Sequence, residues 1–125
     1  MLGDHPIDLV LLAPDLGASR AFYADKLGLA IISENDDTVV FACGGDSRLV
    51  VSASTSGTAD EQTKASWRVG DLVSELSELR AREVEIMDYD IPGLKTENGI
   101  VDTGDALHAW IMDPGGNTLG IEQHK

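Results

Sequence analysis

The sequence predicts an α+β fold made of two tandem βαβββ modules, and three observations carry that prediction. The dipeptide Asp-Leu closes an apolar, strand-like run twice, at Asp15-Leu16 and again at Asp71-Leu72. Each occurrence opens a helix pattern, and β-rich runs follow each helix. Gly44-Gly45 and Gly115-Gly116 then punctuate corresponding late hairpins. A repeat along the chain takes precedence over any single-segment assignment, because overlooking it miscalls the whole fold.

The elements follow in order. Ile7 to Ala13 is a short apolar run stopped by Pro14 and reads as a buried strand. Asp15 is placed to cap the helix that follows, with Leu16, Ala18, Phe22, Tyr23 and Leu27 as its apolar stripe and Gly28 as its C-terminal stop. Leu29 to Ser33 is a strand, and Glu34 to Asp37 a solvated acidic turn. Thr38 to Cys43 and Arg48 to Ala53 are strands around the Gly44-Gly45 turn. Residues 55–62 are small and polar and read as a linker between a module at about 5–54 and another at about 63–125, within one domain.

The second module begins with a strand at Lys64 to Val69. A helix follows over Asp71 to Arg82, with Leu72, Leu76, Leu79 and Ala81 toward a core. Val84 to Met87 reads as a strand, and Asp88 to Asp105 as a long loop, a length associated with function in compact domains. Leu107 to Met112 and Thr118 to Gln123 form the closing strand pair.

Composition narrows the function. The chain has 125 residues, 42% hydrophobic, enough for a proper core. Its formal net charge of −13 would repel nucleic-acid phosphates and anionic membranes. The single cysteine, Cys43, cannot form an internal disulfide, and Met1 to Pro6 has neither a basic segment nor an apolar signal core. The expectation is a cytoplasmic protein with a small-molecule partner, no nucleic acid and no membrane. Cys43 reads as a small strand residue, and Gly115-Gly116 as a turn with no following helix on which an anion could rest.

FYADKLGL (Phe22 to Leu29), YDIPGLKTENGI (Tyr89 to Ile100) and DPGGNTLGIEQ (Asp113 to Gln123), set in the βαβββ repeat, resemble the vicinal oxygen chelate superfamily. Glyoxalase I, bleomycin-resistance proteins and extradiol dioxygenases are its members. The resemblance covers almost the whole chain and implies the glyoxalase/bleomycin-resistance fold: a curved mixed-sheet cup with helices outside, shared by two modules. It also implies a homodimer. The motifs speak for the fold more than for function, since one fold hosts many chemistries.

In metal-dependent members four positions supply ligands, one in the first and one in the last strand of each module. Here those addresses fall on Asp8, near Val50, on Lys64 and on Gly120, the last three residues after Asn117. Of these only Asp8 suits a divalent cation, whereas such ions need three or four protein ligands. The expectation is therefore no metal at the inherited site and no cofactor. The alternative is one divalent metal ion on relocated ligands, with Glu122, His108 and Asp8 as donors.

Strand alternation from the same positions assigns faces. Asp8, Val10, Leu12, Lys64, Ser66, Arg68, Thr118, Gly120 and Glu122 should face the cup, with Trp110 and His108 on the same side. Leu9, Leu11, Ala13, Trp67 and Val69 should face the helices. Asp8, Lys64 and Glu122 are the candidate catalytic groups. Leu12, Ser66, Arg68, His108, Trp110 and Thr118 are the candidate ligand contacts, with Arg68 and Lys64 suited to a carboxylate or phosphate. Against a chemical role, Asp8 and Lys64 could simply neutralise each other. The favoured function is small-molecule binding, by sequestration or metal-independent chemistry. The rival is a metal-dependent lyase, isomerase or dioxygenase of the glyoxalase type.

Overall fold

The computed structural model describes residues 1–125. The chain forms two compact units, residues 1–60 with 114–117, and residues 61–113 with 118–125. The break at Asp60/Glu61 falls inside the small polar segment 55–62. No helix is long and apolar enough to cross a membrane.

In the first unit, β1 (Asp8–Ala13), β2 (Ala30–Glu34), β3 (Thr38–Ala42) and β4 (Arg48–Ala53) form one sheet in the order β1-β4-β3-β2. β1 runs parallel to β4, and the other neighbours are antiparallel. The helix α1 (Leu16–Ala21) is shorter than the apolar stripe suggested, because from Phe22 to Lys26 the chain widens into a π-helical turn. Gly28 follows at a φ of 73°, the left-handed conformation that stops a helix without a side-chain clash. Alternation buries Leu11, Ala13, Val39, Phe41, Leu49 and Val51 on one face, where Phe22 and Tyr23 join them. Leu9, expected in that layer, stands 38% exposed near the strand's start.

The small polar segment is fastened within this unit. The Ser54 hydroxyl accepts from the amides of Ser56 and Gly57. Thr58 Oγ1 donates to Asn117 Oδ1 at 2.6 Å, and Asn117 Nδ2 donates to the Leu12 carbonyl at 3.0 Å. Asn117 is buried, so these bonds meet the requirement that an interior amide be hydrogen-bonded.

In the second unit, β5 (Thr63–Arg68), β8 (Val101–Asp102), β9 (Ala106–Met112) and β10 (Thr118–His124) repeat the same plan, in the order β5-β10-β9-β8. Again the first strand runs parallel to the last, and the remaining pairs are antiparallel. The helix α2 (Leu72–Ala81) buries Leu72 and Leu76, while Ala81 is exposed rather than part of the core. Leu119, Ile121, Ala109 and Ile111 are the buried face of β10 and β9.

Two expectations for this unit change. Val84 to Met87 does not join the sheet as a strand. Val84 and Ile86 are buried, but only Met87 bonds to β9, its amide donating to the Trp110 carbonyl at 2.9 Å. Apolar alternation signalled burial there, and a short strand from farther along, β8, takes the paired edge. The long loop is also structured. It folds into a hairpin of β6 (Asp90–Ile91) and β7 (Leu94–Lys95) turned by Pro92-Gly93, then a second tight turn at Asn98-Gly99 under the Glu97–Ile100 bridge. Both turn residues of the latter have positive φ, 53° and 80°, as a two-residue hairpin turn requires.

The repeated Asp-Leu has a local cause. Asp15 Oδ1 accepts from the Ala18 amide at 3.0 Å, and Asp71 Oδ1 from the Ser74 amide at 3.1 Å. Each aspartate caps its helix, and Leu72 is the first buried residue of α2. Asp71→Ala and Asp15→Ala should each lower stability by about 1 kcal/mol, as loss of an N-cap acceptor does. Urea unfolding of the two variants checks this, and unchanged midpoints in both would show the repeat to have another origin.

Candidate functional site

The open face of the second unit's sheet is a small grid, because residues paired across strands share a face. Arg68, Glu122 and His108 form one row, and Ser66, Gly120 and Trp110 the next. In the third row Thr118 lies opposite Met112 on β9 and Thr63 on β5. A bulge interrupts β5 here, and Lys64 is its extra residue, so the regular strand expected from Lys64 onward is broken at its first position. Thus Ser66, Arg68, His108, Trp110, Thr118 and Glu122 come together as alternation foresaw. Thr118, however, is only 3% exposed and offers a ligand little surface.

The centre of the grid is Gly120, buried with the Ser66 and Thr63 side chains closing over it. A Cβ at Gly120 would meet Ser66 Oγ at 3.0 Å, Ser66 Cβ at 3.3 Å and Thr63 Cγ2 at 3.3 Å. The half-buried Trp110 flanks it. Tyr89 meets the indole edge-on at 5.6 Å between centroids, and the His108 ring stacks nearly parallel to it at 6.1 Å and 12°. Contacts with these two rings orient the indole as an aromatic platform.

His108 belongs to a chain of polar contacts. Its Nδ1 lies 3.5 Å from Glu122 Oε2, and its Nε2 3.2 Å from the Thr103 hydroxyl. His124 Nε2 lies 3.2 Å from the other Glu122 oxygen. Thr103 Oγ1 in turn donates to Asp105 Oδ1 at 2.8 Å. That bond holds the Asp105 carboxyl below the usual carboxylate range, helped by its own backbone amide and by the nearby His108 and His124. Glu122 is therefore engaged on both oxygens.

Asp8 and Leu12 lie on the open face of the first unit's sheet, with Val10 between them 57% exposed. Asp8 is paired within its own unit. Arg48, directly opposite on β4, grips Asp8 with two bonds, Nε to Oδ1 at 3.0 Å and Nη2 to Oδ2 at 2.8 Å. Hydrogen bonding from that guanidinium holds the Asp8 carboxyl below its ordinary range, opposed by a smaller desolvation effect. Such a carboxylate is occupied, neither a ready base nor a ready metal ligand.

The residues at the four inherited addresses therefore do not fit a divalent ion. Asp8 is forked to an arginine, Val50 has no side-chain donor, Lys64 is a lysine rather than a His or carboxylate, and Gly120 has no side chain at all. No three His, Cys, Asp or Glu side chains are arranged around a common metal position.

Three residues beside these groups escaped the sequence reading. Tyr89 is brought beside Trp110 by the loop's folding, which nothing local encodes. Arg48 follows from the parallel register of β1 and β4. His124 had a visible signal, since it stands two residues after Glu122 and so on the same strand face. A separate groove of about 550 Å³ is lined by Lys95, Glu97, Asn98, Ile100, Asp102 and Leu107. Leu107 alternates with His108, so this groove opens on the other side of β9 from the platform.

The architecture is that of the glyoxalase/bleomycin-resistance proteins. A glyoxalase/bleomycin resistance protein/dioxygenase from Alicyclobacillus acidocaldarius superposes with a TM-score of 0.75 at 18% identity, covering 97% of this chain and 92% of that one. A lactoylglutathione lyase from Agrobacterium tumefaciens gives 0.71 at 20% identity, with coverages of 94% and 91%. TnmS3, an antibiotic binding protein from Streptomyces sp. CB03234, gives 0.72 at 19% identity, with coverages of 97% and 96%. Residues 7–44 match the family described as bleomycin resistance protein-like N-terminal. The family match lies wholly within the first unit, and the structural likenesses are likenesses of fold. No curated protein matches the sequence.

Proposed function

We propose that the protein binds a small, partly aromatic molecule on the open face of β5, β10 and β9, without the divalent ion of its metal-dependent relatives. The observation that carries this reading is the half-buried indole of Trp110, oriented by Tyr89 and His108, on one sheet face with Ser66 and Arg68. An apolar wall with a few convergent polar groups is the usual make-up of a ligand site. An antibiotic binding protein with the same fold adds support. Binding alone, as in sequestration, needs nothing beyond this face, and the engaged states of Asp8 and Glu122 speak against either as a free catalytic base.

A thermal-shift screen tests the proposal. A ligand at about 100 times its Kd should add roughly 2.7 kcal/mol of stability. Trp110→Ala should abolish that gain, and a hit that stabilises the variant as much as the parent would place the ligand elsewhere. Stoichiometric zinc, nickel, manganese or iron(II) retained after purification without chelator would overturn the metal-free part of the proposal.

A further inference from the structure

We infer that the molecule held on this face is a planar aromatic carboxylate, its ring against Trp110 and its anionic end on Arg68. The inference rests on the reading of this face as the ligand site and adds the ligand's class. Carboxylates greatly outnumber cations in this chain, with 22 Asp and Glu against 9 Lys and Arg. Arginines accordingly find partners: Arg20 pairs with Glu34, Arg48 with Asp8, Arg82 with Glu78, and Arg80 donates to the Asn98 carbonyl. Arg68 is the exception. It is exposed on the platform face and has neither an ion pair nor a hydrogen bond.

The reason lies one strand away. Glu122 is the cross-strand neighbour of Arg68, but its two oxygens are turned toward His108 and His124. The two histidines thereby leave a guanidinium fork uncommitted on the platform face. A guanidinium presents paired donors that match a carboxylate bidentately. Ser66 precedes Arg68 on the same strand face and adds a hydroxyl beside Gly120. Strands spaced about 4.8 Å apart put β5 and β9 about 10 Å from each other across β10. A one- or two-ring aromatic acid spans that distance with its carboxylate toward Arg68. The negative charge of the whole chain acts at long range and is screened beyond about 8 Å at physiological salt, whereas the fork acts in direct contact.

Calorimetric titration with three probes of one shape tests the class: 2-naphthoate, naphthalen-2-ylmethylamine and 2-naphthalenemethanol. Naphthoate should bind the parent about tenfold or more tightly than the alcohol, the scale of one charged hydrogen-bonded pair. Arg68→Gln should bring naphthoate down to the level of the alcohol, and Arg68→Lys should restore part of the difference. An unchanged circular dichroism spectrum for Arg68→Gln is expected, since this side chain holds nothing else in place. Amine binding equal to naphthoate, or naphthoate binding unaffected by Arg68→Gln, would overturn the assignment. If the alcohol and amine bind the parent but not Trp110→Ala, the face stands and the anionic class falls. If the parent binds none of the three, both readings fall.

Discussion

Gly120→Glu is expected to destabilise the protein by about 1–3 kcal/mol, the usual cost of overpacking, and to gain no metal. The substitution supplies the carboxylate that the resemblance to metal-dependent vicinal oxygen chelate proteins would imply at this address. The backbone raises no objection, since Gly120 is not among the residues with positive φ. The obstacle is Ser66, whose Oγ and Cβ lie 3.0 and 3.3 Å from the new Cβ, with Thr63 Cγ2 at 3.3 Å on another side. Rotating the serine hydroxyl away relieves the first contact and leaves the other two. Ser66→Gly in the same chain should therefore recover much of the loss. The other addresses still hold Val50, Lys64 and an Asp8 gripped by Arg48, so the added carboxylate finds no companion donors. Urea unfolding of the single and double variants, with nickel and zinc titrations, checks both halves. A fully stable single variant holding one tightly bound metal would sink the account of this site.

Phe41→Ala should cost about 3–5 kcal/mol, the range for removing a buried aromatic ring. Phe41 is wholly buried in β3, and its ring meets Tyr23 at 5.6 Å between centroids. Phe22 touches the other side of Tyr23, edge-on at 5.3 Å. Alanine would leave this three-ring cluster without its sheet-side member. For a domain with a total stability of about 5–15 kcal/mol that is a large fraction. The two tryptophans, Trp67 and Trp110, both belong to the second unit, so indole fluorescence reports on that unit, whereas far-ultraviolet circular dichroism reports on the whole chain. If the units unfold together, the two signals should shift to the same lower urea midpoint in Phe41→Ala. A midpoint unchanged by either probe would remove Phe41 from the core.

The sequence disclosed the fold because its repeat is written in capping chemistry. An aspartate that must accept a helix amide, followed by the first helical leucine, marks the same corner in both halves. Strand faces were legible for a related reason, since alternation is a local property, and Ser66, Arg68, His108, Trp110 and Glu122 share the face it indicated. Cross-strand register was not legible. Arg48 stands 40 positions from Asp8 and is brought to it only by the parallel pairing of β1 with β4. The bulge at Lys64 is a product of register as well. Val84 to Met87 shows the opposite limit, where an alternating apolar pattern recorded burial of Val84 and Ile86 and said nothing about which edge would pair.

The turn Pro114–Asn117 belongs to the first unit although it joins the last two strands of the second. The first unit is therefore not a contiguous piece of chain, and residues 1–60 alone would lack the amide that ties Leu12 to Thr58. On the ribosome, the first module can form its sheet early, yet that polar tie must wait until nearly the whole chain has been made.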